Sequence, residues 1–158
     1  MIVAQLLVIL IILPISYGPL GELTLRHGGP DLFLVATWLF AWLTDRTNAL
    51  RWAVIAGLAL DLLNFQRFGF WTFQLVGLAI LVDYVRGRYF QVSSLAEALL
   101  ALLVMTLISL LIQSLMTQQF IWPVWLIEIS SNVLLGTIMY YILAVRFRLF
   151  QRWFGQRL

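Results

Sequence analysis

Six stretches of apolar residues run along the chain, at 1–17, 31–43, 49–64, 68–84, 95–115 and 122–145, with short polar breaks between them. Polar residues inside the stretches recur every three or four positions, the period of a helix face and not of a strand. The pattern therefore predicts six helices and no strands. A helix crossing a bilayer takes about 20 residues at about 1.5 Å rise each. The second, third and fourth stretches are shorter than that, so they are expected to recruit flanking polar residues or to sit where the bilayer is thinned. A re-entrant hairpin made from the second and third is the alternative.

Local signals mark the breaks. Gly18-Pro19 and Gly28-Gly29-Pro30 interrupt the chain on either side of the first long connection, and Pro123 suits the opening turn of the sixth helix. Ser94-Leu-Ala-Glu97 has the form of a capping box at the start of the fifth, which makes Glu97 a cap and not an acid catalyst.

Composition turns these helices into membrane helices. With 63% hydrophobic residues, 11% charged residues and a mean hydropathy of +0.97, the chain reads as an all-α integral membrane protein, one six-helix transmembrane bundle over residues 1–158. The N-terminal segment lacks a basic region and a small-residue cleavage site, so it reads as a retained first helix. There are no cysteines and one histidine, His27, in a Gly-rich loop. Disulfides and thiolate chemistry are excluded, and a metal site is not expected.

Charge sets the orientation. All ten basic residues are arginine. With six spans and a cytoplasmic start, eight of them (Arg46, Arg51, Arg86, Arg88, Arg146, Arg148, Arg152 and Arg157) fall inside and only Arg26 and Arg67 outside. Both termini are therefore expected in the cytoplasm. Tyr17, Trp71, Trp122 and Trp125 then fall at outer ends, and Trp42, Trp52, Tyr84 and Trp153 at inner ones, as aromatic belts would. The tail, 146–158, alternates arginine with Phe147, Phe150, Trp153 and Phe154; it reads either as an interfacial helix on anionic lipid or as a plain stop-transfer charge cluster. Nucleic-acid binding is not needed to explain it.

Polar residues inside the apolar stretches are the candidate site. On the third helix Ala53, Gly57, Asp61 and Asn64 share a face; on the sixth, Glu128, Ser131, Asn132, Gly136 and Tyr140 do so. The fifth contributes Thr106, Ser109 and Gln113, the fourth Gln74 and Gly77. In the orientation above, Asp61, Asn64, Gln74, Gln113, Glu128 and Asn132 lie in the outer half of the bilayer, where they are expected to converge, with Arg67 as the cation for Asp61 or Glu128. Three uses compete: glue between helices, a groove for a partner's transmembrane helix, and a proton relay or substrate pocket. Intramembrane hydrolysis would need a Ser with His or Lys, a paired-Asp loop or a His-rich metal site, and none is present. Asp61 and Asp83 are expected toward opposite membrane faces.

The stretch Gly29-Pro30-Asp31-Leu32-Phe33-Leu34, then Trp38 through Trp42, Arg46, Gly57 through Asp61-Leu62-Leu63, and Gly69-Phe70-Trp71 resembles the rod shape-determining protein MreD family. The motif residues are Pro30, Asp31, Gly57, Asp61, Leu62 and Gly69. The motif match covers residues 30–73; size, layout and short loops extend it over the chain. One turn departs from the pattern: Asn64-Phe65-Gln66-Arg67-Phe68 replaces a small Gly- or Ser-rich turn. The resemblance implies a non-enzymatic, cofactor-free, multi-pass subunit of the bacterial inner membrane. It would belong to the elongasome that governs cell shape and peptidoglycan synthesis. Its implied partner is the bitopic protein MreC, and through it MreB and the pair of a SEDS glycosyltransferase and a class B transpeptidase. Another class of small six-helix bundle, the substrate-binding subunit of energy-coupling factor transporters, is the alternative. Its Ala-x-x-x-Ala docking motif is missing from the first helix, which has only Ala4 before Pro14.

Overall fold

A computed structural model describes residues 2–17, 29–63, 68–89, 95–118 and 121–142. It is all-helical, with six helices and no strands among the described residues: α1 (Ile2–Tyr17), α2 (Leu32–Leu43), α3 (Arg46–Leu63), α4 (Phe70–Tyr89), α5 (Leu95–Thr117) and α6 (Trp122–Tyr140).

Two of the six, α5 over Leu95–Met116 and α6, are long and apolar enough to cross a membrane by length and composition. The other four miss that mark for different reasons. α1 and α2 are short, at 16 and 12 residues. α3 and α4 have the length, 18 and 20 residues, but carry charge. α3 begins three residues before its apolar stretch because Asp45 starts it: the Asp45 carboxylate accepts from Asn48 N at 3.3 Å and its carbonyl from Ala49 N at 3.0 Å. α4 runs on through Arg86 and Arg88, since basic side chains suit a helix C-terminus.

α2 is the hub of the bundle. It touches each of the other five helices, and every residue from Phe33 to Leu43 is buried. A helix that is apolar all round needs such a sheath. At about 18 Å long it is enclosed by protein and not matched to a bilayer. Two of the tryptophans read as inner-belt anchors belong to this interior instead. Trp42 and Trp52 are buried, and Trp52 stacks on Phe40 at 4.4 Å between ring centroids while its Nε1 donates to Thr37 Oγ1 at 3.1 Å. Tryptophan marks an interface only when it faces lipid, and hydropathy does not say which way it faces.

α3 and α4 form an antiparallel hairpin closed at both ends. At one end Arg46 pairs with Asp83 at 3.7 Å; at the other, Asp61 meets the start of α4. The exterior is apolar: Leu10, Phe73, Leu115 and Leu134 are 70%, 81%, 79% and 65% exposed. Inside lie Gln5, Thr37, Asp61, Thr106 and Asn132, each at 0%.

Candidate functional site

Asp61 is a helix cap supplied from another helix. Gly69, at φ +89, turns the chain into α4, and its carbonyl accepts the first helical bond, from Phe73 N at 3.0 Å. It thus holds the N-cap position, where Ser, Thr, Asp or Asn would normally accept from the second and third amides. Glycine has no side chain to do this. Asp61 does it from the last turns of α3, accepting from Trp71 N at 3.0 Å, Thr72 N at 3.1 Å and Thr72 Oγ1 at 2.6 Å. The positive end of the α4 dipole adds to these bonds, and among the described residues they are what holds the fully buried carboxylate.

Gly57 makes that approach possible. A Cβ built there would fall on Thr72 Cα and lie 2.9 Å from Thr72 N, so the two backbones are as close as glycine allows. Gly57 and Asp61 are four residues apart, and both face α4. Their face is a contact inside the chain; the open side of α3 is Val54, Leu58 and Leu62. Asn64, on the same predicted face, and Arg67, the predicted counter-ion, lie outside the described residues, as do His27, Ser94 of the capping box and Arg146, Arg148, Arg152 and Arg157 of the tail.

The remaining polar residues make two sets of hydrogen bonds. Gln74 on α4 and Gln113 on α5 both donate to Ser109 Oγ, at 2.6 and 3.2 Å. Gln74 Oε1 is buried with no hydrogen-bond partner among the described residues. Gly77, grouped with Gln74 from the sequence, faces open space. Asp31 N-caps α2, its Oδ1 accepting from Leu34 N at 3.0 Å, and its own N–H donates to Asn132 Oδ1 at 2.7 Å. That bond ties the start of α2 to α6. Glu128 lies four residues before Asn132 and is half-buried, with Ser131 Oγ donating to its backbone carbonyl at 3.1 Å. Further along α6, Gly136 is packed against Leu102, and the Tyr140 ring lies 6.1 Å from that of Trp38.

Several positioning residues carry no signal that the sequence reading used. Arg86 NH1 donates to the carbonyls of Ala41 at 3.4 Å and Thr44 at 3.1 Å, capping the C-terminal end of α2. Trp38 Nε1 donates to Ala98 O at 2.9 Å and Gln5 Nε2 to Asn48 O at 3.3 Å. Each of these acceptors is a backbone carbonyl, which no residue type announces. Thr72 was the findable one, because a hydroxyl three residues after a turn glycine sits where capping chemistry occurs.

Chemically this is a set of caps and cross-helix bonds. Among the described residues no group of three or more His, Cys, Asp or Glu side chains is placed to hold a metal ion. Comparison of the chain with protein-family models, with curated proteins and with solved structures gives no match.

Proposed function

We propose that this chain is a six-span inner-membrane protein of the MreD type, a non-enzymatic subunit of the bacterial cell-shape machinery that binds an MreC-like bitopic protein. One observation carries the reading. The residues of the resemblance, Asp31, Gly57, Asp61 and Gly69, are those whose geometry sets the helix junctions: two caps, one close crossing and one left-handed turn. A motif built of such residues specifies an architecture and not a reaction. The apolar exterior, with hydrogen-bonded polar side chains buried inside, supports a bilayer as the solvent. The arginine distribution supports cytoplasmic termini.

The test is co-expression with an MreC-like single-span protein and affinity capture in mild detergent, with an unrelated bitopic protein as control. Stoichiometric capture by the first and not the second is expected. A monodisperse chain that captures neither, or one that purifies with a stoichiometric vitamin, overturns the proposal.

A further inference from the structure

The described carboxylates differ in how they are held. Asp45 has Asn48, Asp83 has Arg46, Asp61 has the first turn of α4, Asp31 has Leu34 N, and Glu97 has a partner of its own. The Glu128 side chain alone has no hydrogen bond or ion pair among the described residues. It lies on the side of α6 that carries Trp125, Asn132, Gly136 and Tyr140, the buried stripe of that helix. Asn132 on that stripe bonds the backbone of Asp31, so Glu128, one turn earlier on the same side of α6, is set near the start of α2. The helices packed on α6 bring no other charge to this end: α2 has none after Asp31, and in α5 only Glu97 is charged, in its first turn.

A second feature sits at the same place. Asn132 is 0% exposed; its Oδ1 is used by Asp31 N, while Nδ2 is a buried donor with no acceptor among the described residues. Two like charges side by side in an apolar setting cannot both be kept. A neutral carboxyl at Glu128 resolves both problems, since its O–H can donate to the Asp31 carboxylate and its C=O can accept from Asn132 Nδ2.

We propose that Asp31, Glu128 and Asn132 form a proton-binding site that joins the start of α2 to α6, with one proton shared by the two carboxyls. Losing that proton places two negative charges across the α2–α6 contact and loosens it. The site is thus a pH-sensitive joint in the bundle, and it is independent of the functional reading above.

The probe is N,N′-dicyclohexylcarbodiimide, which adds to protonated carboxyls in apolar surroundings, with the adduct located by mass spectrometry on the full chain in phosphatidylcholine vesicles. Labelling of Glu128 at about pH 6 that falls roughly tenfold by about pH 9 is expected. Asp31→Asn keeps an N-capping side chain, and it removes both the like charge and the anionic acceptor of the Glu128 O–H; each loss disfavours the protonated form, so the fall in labelling moves to lower pH. The proposal requires the lower-pH shift. Glu128→Gln, which keeps the shape of the side chain, should lose the adduct and flatten the pH dependence of the thermal midpoint. An unlabelled Glu128 at about pH 6 in folded protein overturns the site, because the carboxylate is then ionised and held by a cation. An Asp31→Asn profile that is unchanged or moves upward overturns the sharing.

Discussion

The Asp61 carboxylate binds Thr72 twice, accepting from its amide at 3.1 Å and from its hydroxyl at 2.6 Å. A residue at the end of one helix thereby starts the next. Asp61→Leu removes the acceptor and leaves the Trp71 and Thr72 amides buried in an apolar contact, which costs about 3–5 kcal/mol by the measure of broken buried charge networks. Thermal unfolding in detergent should show a large loss of folded protein. Thr72→Val deletes one of three bonds and costs about 1–2 kcal/mol, with Asp61→Asn, which keeps one acceptor oxygen, between the two.

Gly57 and Gly77 separate packing from propensity. Alanine at Gly57 meets Thr72 backbone, which cannot turn aside, so Gly57→Ala is expected to push α3 and α4 apart at a cost of about 1–3 kcal/mol. Gly77→Ala has open space around it; it should raise stability by about 0.5–1 kcal/mol through helix propensity. Opposite signs in one unfolding assay check both statements.

Gly136 differs from Gly57 in what opposes it. Its added Cβ meets the end of the Leu102 side chain, with Trp38 Cζ3 at 3.4 Å. Gly136→Ala is therefore expected to destabilise, and Leu102→Val in the same chain to recover part of the loss. A double-mutant cycle with coupling of about 1 kcal/mol or more is the expected result.

Trp52 and Thr37 are buried, and Trp52 Nε1 has Thr37 Oγ1 as its acceptor. Thr37→Val strands that N–H and should cost about 1–3 kcal/mol. Combining it with Trp52→Phe, which keeps the stack on Phe40, removes both partners; the pair should cost less than the sum of the singles.

Arg86 holds the C-terminal end of α2 through Ala41 and Thr44 carbonyls. Arg86→Gln is expected to cost about 1–2 kcal/mol, since charge and reach to a helix C-terminus go together. The loss should appear as faster amide exchange at the end of α2 and the start of α3.

Hydropathy and helical period were enough to read an all-helical chain with six helices close to where they stand, because both are local properties of a run of residues. The Gly57–Asp61 spacing marked a special face for the same reason: four residues return to one side of any helix. Other decisions belonged to the tertiary structure. Lipid and protein interior are both apolar, so composition cannot separate the largely exposed α6 from the enclosed α2, nor a belt tryptophan from Trp52 in the core. The donors that hold Asp61 are mainly backbone amides of α4, present in every residue and visible only when the helices are brought together. The sequence by itself determined that a carboxylate had to be stabilised at Asp61; only the fold decided that a helix end, exposed by Gly69 and reached across Gly57, would do it.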